Sequence, residues 1–258
     1  MYLNIKQFVL FVTIIFFTSC GDRDYTISKI SGNQLLIEQA ESSAGNDSLQ
    51  NFLQPYISHV NSVLDKPLCY APYDIGKNDG RYNSSAGNLL ADIILQQAGP
   101  VFESRTNEKI DFVVLNHGGI RSAISMGDVS SRTAYEVMPF ENTVVVVQMK
   151  GKAIRDLVSH LIRSSRPHPI GGLQIIIDKK DQLSSVSIQG EPFDENRTYN
   201  VATSDYLFNG GDNMGFFKDG MQHYELEYFI RNAMIDYFEK VDTLRAGVDD
   251  RFLKLDTP

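Results

Sequence analysis

Residues 111–121 read Asp111-Phe112-Val113-Val114-Leu115-Asn116-His117-Gly118-Gly119-Ile120-Arg121. The run from Phe112 to Leu115 is apolar at every position. It predicts a strand buried on both faces, since a half-exposed strand alternates. Asn116 to Gly119 then predicts a turn, and paired glycines let the backbone approach a ligand closely or take positive φ. Upstream, Leu89, Leu90, Ile93 and Ile94 mark a helix from Ser85 to Gln97, which Gly99-Pro100 should stop. Further upstream, Leu49, Phe52, Leu53, Tyr56, Ile57, Val60 and Leu64 recur at helical spacing over Asp47–Leu64. Downstream, strands are predicted at Val144–Val147, Leu173–Ile177, Ser184–Ile188 and Tyr199–Thr203, with helices at Lys152–Arg163 and Glu225–Phe238. This mixture gives an α+β (mixed α/β) class, with mixed sheets flanked by helices in one domain over residues 47–258.

Composition narrows the function. Of 258 residues, 42% are hydrophobic and 22% charged, which suits a globular chain and not a disordered one. The net charge of −8 argues against nucleic acid as a partner, because such binding needs surplus Lys and Arg to displace counterions. It leaves room for small anions held by one or two arginines. Phe8 to Phe17 is apolar except at Thr13 and follows Lys6, too short to span a bilayer but suited to an export signal. The run ends at Thr18-Ser19-Cys20-Gly21, which resembles the lipobox of bacterial lipoproteins. That resemblance implies removal of residues 1–19 as a signal peptide and lipidation at Cys20. Residues 20–46 read as a tether, with a short β-like stretch at Gln34–Ile37. The expected location is the bacterial cell envelope, membrane-anchored through lipid, and Asp22 and Asp24 hint at the outer membrane. Cys69 is then a single thiol without a disulfide partner.

Three glycine- or aromatic-marked loops hold the residues suited to chemistry. The first is Asn116 to Arg121, where an arginine suits phosphate or another planar anion. The second is Pro139-Phe140-Glu141-Asn142, before the strand at Val144. The third is Ser204 to Asp212, where Tyr206, Asn209, Gly210, Gly211 and Asp212 lie close in sequence. Taken singly, each reads as a turn with packed or solvated side chains. Together they form a set for a nucleotide. Two aromatics hold a flat base, at roughly 1–3 kcal/mol per stacked base. A carboxylate accepts from ribose hydroxyls, an Asn offers donor and acceptor to a base edge, and an Arg meets phosphate.

These loops resemble the C-terminal, substrate-binding domain of the 5'-nucleotidase family, which includes UDP-sugar hydrolases and 2',3'-cyclic-nucleotide phosphodiesterases. The family pattern Asn-x-Gly-Gly-Ile-Arg matches Asn116, Gly118, Gly119, Ile120 and Arg121. Pro-Phe-x-Asn matches Pro139, Phe140 and Asn142, and an aromatic followed by Asn-Gly-Gly-Asp matches Tyr206 and Asn209 to Asp212. Gly87-Asn88-Leu89 matches a helix start, and the resemblance extends over about residues 47–255. It implies that Phe140 and Tyr206 sandwich the base, Asp212 takes the ribose, Asn116 the base edge and Arg121 the ribose-phosphate end. Gly118, Gly119, Asn209 and Gly211 belong to the same substrate-binding set. Arg81 lies near a ligand-contacting arginine of the family, although the local pattern departs there. The family usually carries Phe at the position of Tyr206, and the ring face is retained.

Members of this family normally carry a metallophosphatase domain with Asp-x-His, Gly-Asp-x-x-Asp and Gly-Asn-His motifs. The chain contains none of these, and its five histidines, His59, His117, His160, His168 and His223, lack ligand spacing. No catalytic residue, metal or cofactor is therefore expected in this chain. Divalent metals are expected only in a separately encoded metallophosphatase partner, with which it would hydrolyse nucleoside monophosphates in nucleotide catabolism. The competing expectations are a non-catalytic nucleoside-binding surface lipoprotein and a module that kept the fold and lost its ligand.

Overall fold

A computed structural model describes Asn4 and residues 47–255. The expected signal peptide, Cys20 and the tether with its Gln34–Ile37 strand lie outside the described residues. Among the described residues no helix is long and apolar enough to cross a membrane. Compactness divides the chain after Phe52, inside the first helix, and the unit that begins at Leu53 holds every later element.

The elements in order are α1 (Asp47–Leu64), β1 (Pro67–Ala71), α2 (Ser85–Thr106), β2 (Phe112–Val114), β3 (Gly127–Ser130), α3 (Ser131–Val137), β4 (Thr143–Lys150) and α4 (Gly151–Ser164). They continue with β5 (Ile170–Gly171), β6 (Leu173–Ile177), β7 (Leu183–Ile188), β8 (Glu191–Pro192), β9 (Thr198–Ser204), α5 (Asp205–Phe208), β10 (Gln222–Phe229), α6 (Ile230–Phe238) and β11 (Phe252–Lys254). The central sheet runs β10-β4-β9-β2-β5, a second runs β11-β6-β7-β8, and β1 pairs with β3. The α+β class read from the sequence is the class observed.

The apolar runs have a direct cause. Successive residues of a strand face opposite sides of a sheet. Val144 and Val146 of β4 enter one core with α2 and α6, while Val145, Val147 and Met149 enter a second core with α4. In β2, Val113 goes to the first core and Phe112 and Val114 to the second. Both faces of the sheet are thus covered at β2 and β4, so these strands read as unbroken apolar runs.

Two predicted elements need correction. The helix at Ser85 does not stop at Gly99-Pro100 but continues to Thr106, with Pro100 inside it and Asn107 closing it in the left-handed region at φ 60°. Proline removes one backbone donor, and tertiary packing outweighs that loss. Phe102 beyond it is fully buried, with its ring edge-on to Tyr224 at 5.3 Å. Arg105 donates to the Glu225 and Leu226 carbonyls at 3.2 and 3.1 Å. The helix predicted over Glu225–Phe238 is instead the end of β10 followed by α6. β10 completes the sheet edge against β4, with Glu225 opposite Val145. An irregularity before Phe229, with Glu227 at φ +53°, sets the turn into the helix.

Helix α1 has the predicted bounds. Its stripe does not face the core, however: Leu53, Ile57 and Val60 are exposed. Arg132 ties its end by donating to Asn61 Oδ1 at 2.8 Å and pairing with Asp65.

Candidate functional site

The topology of the central sheet gathers the three loops. β2 and β9 are parallel, with Val113 opposite Ala202, so the loops after both leave from the same edge. β4 is antiparallel to β9, with Val144 opposite Ser204, so the segment leading into β4 starts at that edge too. Ligands of open α/β sheets bind beyond the carboxyl ends of strands for the same reason.

The first loop leaves β2 through one 3-10 turn, His117–Gly119. The Gly119 N–H donates to the Asn116 carbonyl at 3.0 Å, and the Arg121 N–H to the Val137 carbonyl at 2.8 Å. The second loop follows α3. Its Pro139 and Phe140 carbonyls accept from the buried Arg231 guanidinium at 3.1 and 3.3 Å. That guanidinium also lies 4.2 Å from the Tyr135 ring centroid. The third loop opens on α5, where Ser204 Oγ accepts from the Leu207 N–H at 3.2 Å. Asp205 Oδ1 joins the second and third loops, accepting from Asn142 Nδ2 and from the Tyr206 N–H, each at 2.7 Å.

Gly211 is required by this packing. A Cβ there would lie 2.5 Å from the Tyr206 ring, so only glycine lets that ring lie against the backbone. Gly210 takes φ +94° and Asp212 φ +49°. This left-handed turn brings the Asp212 carboxylate back to Tyr206, whose hydroxyl donates to Oδ1 at 3.0 Å. That bond raises the Tyr206 phenol above its ordinary value, because it favours the protonated form beside a carboxylate. Among the described residues Asp212 Oδ2 is buried and has no hydrogen-bond partner.

The result is a cavity of about 520 Å³ lined by Asn116, Gly118, Arg121, Phe140, Glu141, Asn142, Tyr206 and Asp212. Phe140 and Tyr206 keep 44% and 42% of their surface exposed, so neither ring is spent on the core. The Arg121 guanidinium stands 5.8 Å from the Phe140 centroid. Asn116, Gly118, Arg121, Phe140, Tyr206 and Asp212, all expected from the sequence, thus meet around one space. Gly119 and Gly211 do not line it but pack against Asn116 and the Tyr206 ring, which do. Asn209 does not line it: its side chain donates to the Asp205 carbonyl at 2.9 Å and holds the α5 turn. Arg81 is not brought to the cavity either, as its guanidinium lies over the Tyr82 ring at 5.1 Å.

Sequence reading misses Lys77 and Arg231. Lys77 donates to the Ile120 carbonyl, and burial followed by the nearby Arg121 charge lowers its ammonium below the ordinary value. His117 is held down by burial first and then by Lys77. Among the described residues no cluster of three or more His, Cys, Asp or Glu is arranged to hold a metal ion.

A family model described as "5'-nucleotidase, C-terminal domain" matches residues 74–219. Protein UshA of Yersinia enterocolitica is 33% identical over 233 residues, 86% of this chain and 40% of that protein. Protein UshA of Escherichia coli is 36% identical over 172 residues, 62% of this chain and 30% of its own length. The crystal structure of a 5'-nucleotidase precursor from Thermus thermophilus superposes with a TM-score of 0.66 at 24% identity, over 85% of this chain and 45% of that one. This chain therefore spans less than half the length of these relatives.

Proposed function

Since the chain belongs to the 5'-nucleotidase C-terminal domain family, we propose that it is the nucleotide-binding half of a 5'-nucleotidase-type phosphohydrolase whose metallophosphatase half is a separate chain. The observation that carries the reading is the pair of half-exposed rings, Phe140 and Tyr206, lining one cavity with an incompletely partnered carboxylate. A base fills the space between the rings. Asn116 and Asn142 offer amide donors and acceptors to its edge. A ribose hydroxyl donates to the Asp212 carboxylate, which lines the cavity beside the Tyr206 hydroxyl. Arg121, which lines the cavity and has the Lys77 charge near it, receives the phosphate end.

The chemical step belongs to the partner. Hydrolysis of a phosphate ester is mostly positioning plus charge stabilisation, and the described residues supply the positioning. They hold no ligand set that fits a divalent cation, and no step is assigned to one in this chain. The relatives' greater length is consistent with a second half. Export and lipid attachment at Cys20 complete the reading and rest on the sequence near that residue.

Calorimetric titration with adenosine and AMP tests binding. Wild type should bind both, while Tyr206→Ala and Asp212→Ala should each lose about tenfold or more, as removal of one stacked ring or one charged hydrogen bond implies. Tyr206→Phe should keep most of the affinity. Equal or absent binding in wild type and Asp212→Ala would overturn the reading. The purified chain should leave AMP intact, and hydrolysis should appear when the metallophosphatase chain is added. Turnover of AMP by the chain alone would refute the division of labour.

A further inference from the structure

Asp212 is also a wall of a second cavity. This space, about 520 Å³, is lined by His160, Arg163, Ser164, Arg166, His168, Asp212 and Asn213. It lies at the C-terminal end of α4, where Ser165 closes the helix in the left-handed conformation at φ 50°. Neither Arg163 nor Arg166 forms an ion pair with a carboxylate among the described residues. Two such guanidinium groups beside one cavity are conspicuous in a chain of net charge −8.

Their charges are felt across the space. Burial is the first cause that lowers the His160 imidazole, and Arg163 adds to it while Asp212 opposes; for His117 burial and then Lys77 come before the smaller push of Arg166. Burial dominates for His168 and holds it at about 4, so that ring stays neutral at neutral pH. The helix C-terminus adds only a partial negative charge, less than two full positive ones. The cavity therefore presents net positive charge next to the carboxylate assigned to the ribose.

We propose that this second cavity receives an anionic group carried on the hydroxyl edge of the ribose, so that the chain prefers nucleoside bisphosphates, phosphorylated at the 5' position and again at the 2' or 3' position. The inference rests on the reading of Asp212 as the ribose contact. One ribose hydroxyl stays free to donate to Asp212, and the other bears the phosphate that Arg163 and Arg166 take up. Guanidinium is suited to this because its planar fork meets phosphate oxygens in pairs. The 5' phosphate remains with Arg121, so the two anions point to different cations.

The test is calorimetric titration of the full chain with AMP, adenosine 3',5'-bisphosphate and adenosine 2',5'-bisphosphate. Wild type should bind at least one bisphosphate about tenfold more tightly than AMP, the order expected for one charged hydrogen-bonded contact. Arg163→Ala combined with Arg166→Ala should erase that gain while leaving the AMP affinity within about twofold, which also shows that the variant is folded. Binding of AMP with no gain for either bisphosphate overturns the inference and leaves the nucleotide reading intact. So does a gain that survives loss of both arginines. Failure of wild type to bind AMP overturns the nucleotide reading and the inference together.

Discussion

His168 shows how one buried side chain ties stability to pH. Its imidazole is almost fully buried, and its Nδ1 accepts from the His117 N–H at 3.3 Å. Burial lowers it from 6.5 to about 4. The unfolded chain therefore binds a proton at pH values where the folded chain does not. Stability from this group is complete above pH 6.5 and is lost progressively as pH falls through about 4. Denaturant melts between pH 4 and 7 should show the loss, of order 3 kcal/mol at most, and His168→Gln should flatten it. An equally steep fall in the variant would assign the effect elsewhere. Cys69 is inert by the same physics: it is buried, and burial pushes its thiol up to about 11.

At the scale of elements, the loop carrying Phe140 depends on α6. Arg231 supplies donors to two backbone carbonyls of that loop, and its partner Glu141 is 3.9 Å away and mostly exposed. The carbonyl bonds matter more than the ion pair, because solvent screens exposed pairs. Arg231→Met should cost about 2 kcal/mol in denaturant melts, since it leaves two acceptors unpaired. It should also weaken adenosine binding, as Phe140 loses its support. Unchanged affinity would show that the loop stands without α6. By contrast, Ile57→Asp with Val60→Asp on α1 should change folding stability by no more than about 0.5 kcal/mol, because both positions are exposed. A loss near 2 kcal/mol would show that the stripe is packed. These elements also explain what the sequence could reveal. β2 and β4 are readable because burial on both faces leaves continuous apolar runs. β10 is not, because Leu226, Phe229 and Ile230 imitate helical spacing while the strand pairs with β4. Pro100 misleads because its local cost is smaller than the gain from burying Phe102.

For the whole molecule, the site is an outcome of topology. Its loops are legible as short motifs since each keeps its own backbone geometry. Lys77 and Arg231 are not, as they reach the site from 43 and 91 residues away through contacts that only the folded chain creates. Asn209, inside a motif, is given to the ligand by resemblance, yet its amide serves the α5 turn. The decisive measurement is a crystal structure of the chain grown with adenosine. The expected result is a purine between Phe140 and Tyr206 with a ribose hydroxyl hydrogen-bonded to Asp212. A nucleoside bound elsewhere, or those two rings closed on each other with the cavity gone, would contradict the account.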